Sequence, residues 1–243
     1  MCTVTYIPSG KNIFLNASRD EQSDRPSALP PETYDINGRK ILFPKDPVAG
    51  GTWFAVNEKG EAVVFLNGAS TKYIHRPPYG KSRGLVLLDL LSGISVPSSF
   101  DRIKLEDIAP FTAIITESGN LFLAKWDGTV KSLQKLDARL SYIWSSVTLY
   151  DPGTIQKRQC WFDEWVKQHP RPTATEIMHF HRYTGEGDPL NDLRMNRNDK
   201  LFTHSICVAQ ITDDHAAVRY LDLQQMQETK SSIRFLKTAV VNA

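Results

Sequence analysis

Cysteine is scarce in this 243-residue chain: Cys2, Cys160 and Cys207 are its only three, and no two form a CxxC pair. An odd number cannot pair fully within one chain, and the three are best read as free thiols in a reducing compartment. Long apolar runs are missing as well. No stretch reaches the roughly 18 residues needed to span a bilayer, and the N-terminus lacks the basic start and apolar run of a secretory signal. A cytoplasmic location without a membrane span is the expectation. An excess of one charge is also absent, with 29 Lys and Arg against 27 Asp and Glu for a net +2, and no block of like sign. That balance removes the electrostatic footprint expected of a nucleic-acid partner.

What is present is ordinary globular material, 41% hydrophobic and 23% charged, enough to fold as one domain over 1–243. Residues 3–7 and 12–16 are β-branched or aromatic and flank Pro8-Ser9-Gly10, which predicts two strands and a tight turn. The polar, proline-punctuated stretch from Arg19 to Pro47 reads as a long loop with one short strand at Lys40–Phe43. A second hairpin is predicted at Thr52–Val56 and Ala62–Leu66 around Asn57-Glu58-Lys59-Gly60. Leucines at helical spacing predict a helix over 81–91 ended by Gly93, with a shorter one at 101–108. Residues 112–145 read as an antiparallel meander. Helices are expected at Thr154–Gln168 and Ala174–His181, a polar loop at 184–200, and strands at Thr203–Ile211, Ala216–Leu223 and Ile233–Ala239. This order suits an α+β class, antiparallel sheet with helices segregated outside it.

The second residue carries the sharpest chemical signal. If Met1 is removed, Cys2 becomes the first residue and holds a thiol and a free α-amine together. The amine has a reference pKa of about 7.7–8.0, so it can take the thiol proton, and thiolate is a strong nucleophile even when sparsely populated. The strand returning toward this end finishes in Ser18-Arg19-Asp20-Glu21, which brings a carboxylate able to orient an ammonium and a guanidinium able to favour thiolate or bind an acidic group.

The sequences MCT at the start, SRDEQSDRP at 18–26 and GGTWFAVNEKGEAVVFLNG at 50–68 resemble the NRDE family, which includes the transport and Golgi organisation protein 2 group. Weaker likeness continues in IWSSVTLYDP at 143–152 and FTHSICVAQI at 202–211. Members are similar to cysteine N-terminal-nucleophile hydrolases, which include penicillin V acylase and bile salt hydrolase. The resemblance therefore implies a four-layer αββα sandwich and attack on a non-peptide carbon–nitrogen bond. It assigns Cys2 as nucleophile, Asp20 as the aspartate that holds the α-amine, and Arg19 as the second letter of the family motif. It also implies an asparagine opening an NExG turn, here Asn57, and a second one ten positions on, Asn67, that supports the oxyanion.

Three positions depart from the pattern. Ser18 stands where the motif has Asn, Ser145-Ser146 where relatives show Ser-Asn, and His204 where many relatives carry Arg. Ser146 replaces an amide with a hydroxyl, and His204 replaces a permanent cation with one that titrates near neutral pH. The implied partner is a small-molecule amide or acyl ligand. A rival implied by the Golgi-organisation group is a carrier without turnover, holding an acyl or haem-like ligand with a cysteine and His204 as ligands. No metal or obligatory cofactor is expected. His179 and His181 lie two apart and so point to different helix faces, and with Cys160 they read as structural. Trp53-Phe54, Trp161 and Trp165 read as core or pocket wall.

Overall fold

The computed structural model describes residues 3–236; Met1, Cys2 and residues 237–243, with the end of the last expected strand, lie outside the described residues. The chain opens with strands β1 (Thr3–Ser9), β2 (Asn12–Gln22), β3 (Leu29–Ile36), β4 (Arg39–Lys45), β5 (Phe54–Asn57) and β6 (Ala62–Asn67). Helices α1 (Arg83–Ser92) and α2 (Val96–Arg102) follow, then β7 (Phe111–Glu117), β8 (Asn120–Trp126), β9 (Lys131–Leu136) and β10 (Tyr142–Ser145). Helices α3 (Pro152–Gln168) and α4 (Ala174–Tyr183) precede β11 (Asn196–Arg197), β12 (Leu201–Ile211), β13 (His215–Asp222) and β14 (Gln227–Arg234).

These strands form two antiparallel sheets. One runs β10-β1-β2-β12-β13-β14, with the short β11 on β12, and the other runs β3 to β9 in chain order. Period-two alternation sorts their side chains into layers. Leu15, Ala17, Val56, Val64 and Val218 fill the space between the sheets. The opposite face of the second sheet packs Ile41, Val63 and Ile115 against Leu87, Leu90 and Leu91 of α1. The opposite face of the first packs Phe14, Ile206 and Val208 against Phe162 of α3 and Ile177 and Phe180 of α4. Each fully buried Val, Leu, Ile or Phe among them contributes about 1.5–3 kcal/mol relative to exposure. The result is a four-layer αββα sandwich.

Four local expectations are corrected. β2 does not stop near Asn16 but continues through the polar Ser18–Gln22, because β12 pairs with it along residues 13–22 and supplies the backbone hydrogen bonds. The supposed loop between Arg19 and Pro47 contains all of β3; its prolines are tolerated because β3 is an edge strand, where an absent N–H leaves no ladder partner stranded. The helix expected at 101–108 lies at Val96–Arg102, with Pro97 in its first turn where no intrahelical donor is required. Finally, β10 leaves the meander and joins β1 in the other sheet.

Candidate active site

The first described residue, Thr3, sits between two strands, paired with Ser18 on β2 and with Ser145 on β10. Two segments singled out by the sequence are thereby brought beside the residue that follows Cys2 in the chain. Cys2 itself lies outside the described residues.

Asp20 is buried with Ser18 on the helix-facing side of β2, and both its oxygens have hydroxyl donors. Tyr150 Oη donates to Oδ2 at 2.7 Å and Thr203 Oγ1 donates to Oδ1 at 2.6 Å. Tyr150 is in turn covered by the guanidinium of Arg158, which lies 3.6 Å from the ring centroid. Arg158 is fully buried. It donates to Thr3 Oγ1 at 2.7 Å and to the main-chain carbonyls of Asn191 and Asp192. Thr3 and Asp20 are thus held by one continuous buried network.

A second buried group supports the same strands. His181 of α4 contacts Ser18 Oγ through Nδ1 and Thr5 Oγ1 through Nε2, each at 2.9 Å. Burial, then the nearby Arg158 charge, lower its pKa to about 3, so the ring is neutral near pH 7. Ser18, the departure from the motif, is therefore a hydrogen-bond partner matched to a neutral imidazole.

In front of this layer opens a cleft of about 370 Å³, walled by residues that include Arg19, Trp53, Asn67, His75, Tyr79 and Arg83. Arg19 faces the opposite way from Ser18 and Asp20, as alternation along β2 requires. Its guanidinium lies 4.8 Å from the Trp53 ring centroid, and Nη2 donates to Asp46 Oδ2 at 2.8 Å. Asp46 also takes a two-pronged contact from Arg25 and the N–H groups of Val48 and Ala49. Burial pushes Asp46 upward, but hydrogen bonds from Arg25 and the Ala49 N–H, with the charges of Arg25 and Arg19, hold it below the usual carboxylate range.

A close backbone approach shapes the cleft. A Cβ on Gly84, in the first turn of α1, would meet the Thr52 N and O atoms at 2.7 Å, and one on Gly51 would lie 2.5 Å from the Gly84 carbonyl carbon. Only a glycine pair lets the start of α1 reach this loop. Gly68 is constrained in a different way: its φ is +82° and a Cβ would strike Thr148 Cγ2 at 2.7 Å. It turns the chain directly after Asn67.

The expected site residues separate into groups. Asn67 lines the cleft, and its side-chain amide makes no hydrogen bond to the described residues. Ser146 joins the two sheets, donating to the Asn67 carbonyl at 2.8 Å and contacting Thr148 Oγ1 at 2.8 Å, and it is not part of the cleft wall. Asn57 is elsewhere: its amide donates to Glu61 and to the Leu91 carbonyl, while its oxygen accepts the Lys59 and Glu61 N–H groups. It closes a turn beneath α1. His204 is the extra residue of a β-bulge on β12, opposite Arg19 and Asp20. Its Nδ1 contacts Gln224 Nε2 at 2.8 Å, its ring stacks on Phe202 at 4.5 Å, and it does not line the cleft. Burial, then Arg19, lower its pKa.

Sequence reasoning missed Tyr150, Arg158, Thr203 and Arg83. Arg158 had a detectable signal, because it shares with Thr154 and Phe162 the i, i+4, i+8 stripe that α3 buries. Tyr150 and Thr203 are single polar residues whose shared partner, Asp20, lies far away in the chain, and Arg83 bonds Tyr73 and the Pro110 carbonyl, to which no sequence pattern joins it. Among the described residues no cluster of His, Cys, Asp and Glu could hold a metal. Cys160 is exposed, and Cys207 is buried with its thiol pKa raised by desolvation. No helix among them is long and apolar enough to cross a membrane.

The sequence profile described as Transport and Golgi organisation 2 matches residues 1–229. No curated protein shows significant sequence similarity to the chain. Among solved structures, a variant of conjugated bile acid hydrolase from Clostridium perfringens is similar with a TM-score of 0.63 at 12% identity, covering 99% of this chain and 100% of that one. A second variant, with alanine in place of its second-residue cysteine, gives a TM-score of 0.56 at 12% identity over 100% of this chain and 99% of its own. The Caenorhabditis elegans ortholog of N-acylethanolamine-hydrolyzing acid amidase has a TM-score of 0.58 at 14% identity, covering 85% of this chain and 92% of that one.

Proposed function

The chain belongs to the Transport and Golgi organisation 2 family, and we propose that it is a cysteine N-terminal-nucleophile hydrolase that cleaves a non-peptide amide. After removal of Met1, the α-amine of Cys2 takes the thiol proton and the thiolate attacks the amide carbonyl. Asn67 and main-chain N–H groups steady the oxyanion, the leaving amine departs with the proton held on the α-amine, and water then releases the acyl group from sulfur. Asp20 orients the α-amine, and Arg19 places positive charge beside the thiolate.

The observation that carries this reading is the convergence of Thr3, Asp20 and Asn67. The residue following Cys2 is tied through Arg158 and Tyr150 to Asp20. Through Ser145 and Ser146 it is linked to the strand end bearing Asn67. Thr3 and Asp20 come from the first hairpin and Asn67 from the other sheet, and its amide, without a partner among the described residues, lines the cleft. The similarity to two amide-cleaving enzymes supports the choice of bond.

Intact mass spectrometry tests the proposal. The protein purified from its own host should lack Met1 and should gain one acyl group when incubated with activated acyl amides, and Cys2→Ala should gain none. Retention of Met1, or labelling that survives Cys2→Ala, refutes it.

One observation favours binding without turnover as a second reading: the Ser146 hydroxyl, which stands where relatives carry an amide, already donates to the Asn67 carbonyl. Oxyanion support from side chains then falls to Asn67 alone. A carrier would hold an acyl or haem-like ligand in the same cleft. Spectral titration with haem separates the two, since a saturable Soret shift without acylation of Cys2 supports the carrier.

A further inference from the structure

The cleft wall contains donors for which the described residues provide no acceptor. Arg19 Nη1 and Trp53 Nε1 are both buried without a hydrogen-bond partner among the described residues, on residues that are only 3% and 5% exposed. A buried cationic N–H left unpaired is costly, so such groups mark positions where a ligand atom completes the bonding. The start of α1 adds two more donors. Ser82 Oγ caps the Leu85 N–H at 3.3 Å. The N–H groups of Arg83 and Gly84, the first two of this ten-residue helix, have no acceptor among the described residues. They open on the same cleft.

Charge adds to the hydrogen-bonding argument. Of the four cations in the wall, Arg19 and Arg25 share Asp46, and Lys81 pairs with Asp89. Arg83 has no carboxylate partner among the described residues: its Nη1 donates to Tyr73 Oη and to the Pro110 carbonyl, each at 3.0 Å. The carboxylates in the wall are Asp46, already engaged, and Glu21, 3.5 Å from Arg19. One positive charge is therefore left over, and it sits at the helix end where the backbone dipole also favours an anion.

We propose that the N-terminus of α1, with Arg83, Arg19 and Trp53, is a subsite for an oxyanion carried by the substrate, a carboxylate or a phosphate. The inference rests on the hydrolase reading for the bond that is cleaved and names the class of molecule that bears it, an amide with an anionic end. Gly51 and Gly84 are the structural devices that bring the helix end close enough, since a side chain at either would push it away.

The test uses the full chain carrying Cys2→Ala, so binding is read without chemistry. Calorimetric titrations with inorganic phosphate, N-acetylglycine and its neutral counterpart N-acetylglycinamide give the comparison. Saturable binding of at least one oxyanion, with N-acetylglycinamide at least about ten-fold weaker, is expected, the equivalent of one charge-assisted hydrogen bond. Preference for phosphate assigns a phosphate end, and preference for N-acetylglycine a carboxylate end. Arg83→Gln should weaken oxyanion binding by a similar factor, Arg83→Lys should retain most of it, and the distant surface change Lys157→Gln should have no effect. The proposal is overturned if the neutral amide binds as well as the oxyanions, if neither oxyanion binds saturably, or if a folded Arg83→Gln protein matches its parent. Should Arg83→Gln fail to fold, the comparison of ligands on the parent decides. Oxyanion binding that persists while the native protein forms no acyl-enzyme would sink the hydrolase reading and leave the subsite standing.

Discussion

The hydroxyl of Tyr150 donates to the carboxyl of Asp20 across 130 positions of sequence, at 2.7 Å. Because Arg158 rests on the same ring and also grips Thr3, a change at Tyr150 is felt at both ends of the network. Tyr150→Phe keeps the ring and the cation above it but deletes the donor. It should cost about 2 kcal/mol in urea unfolding, the range for a buried hydrogen bond to a charged group, and should slow acylation of Cys2. Unchanged stability and rate would show that Asp20 does not depend on this contact.

Asn67→Ala separates chemistry from folding. The side chain lines the cleft with no hydrogen bond to the described residues, so the stability change should stay within about 0.5 kcal/mol. Acylation should fall about 100- to 1000-fold if the amide supports the oxyanion. Stopped-flow or quenched mass spectrometry of acyl transfer measures it, and a fall of less than about five-fold would remove Asn67 from the mechanism.

His181 predicts a pH dependence of stability. Its pKa is lowered to about 3 in the folded chain from an ordinary 6.5, first by burial and then by Arg158. Between those values the unfolded chain binds the extra proton and the folded one does not, so stability is complete above about pH 6.5 and declines as pH falls. His181 alone contributes a slope of about 1.4 kcal/mol per pH unit in this range. His181→Gln retains hydrogen-bonding capacity toward Ser18 and Thr5 and should reduce the slope between about pH 6.5 and 4.5, leaving the share of His204, whose pKa is also lowered. Equal slopes in urea titrations of the two proteins would contradict the assignment.

Gly84→Ala tests the close approach of α1 to the loop before β5. The added Cβ meets main-chain atoms of Thr52 at 2.7 Å, and backbone cannot turn aside as a flexible side chain can. Overpacking of this kind costs about 1–3 kcal/mol, despite the gain in helix propensity that alanine normally brings. A thermal melt showing Gly84→Ala to be as stable as its parent would mean the helix start can back away freely.

Much of this protein was determined by local sequence. Alternation in TVTYI and NIFLN, the leucines of α1 and the turn before Gly60 each specify an element through neighbours a few residues away. The motif residue Arg19 and the strand-end Asn67 both line the cleft, while Asp20 is buried on the other face of β2. Other features were decided only by tertiary structure. The polar half of β2 is a strand because β12 pairs with it, and β10 changes sheets because β1 offers an open edge. Asn57 and Asn67 look alike in sequence, yet one closes a turn under α1 and the other lines the cleft. Arg158, His181 and Tyr150 acquire their roles from partners more than 120 positions away. A hydrogen bond or a buried charge depends on which atoms meet in space, and a pattern read along the chain carries no record of those meetings.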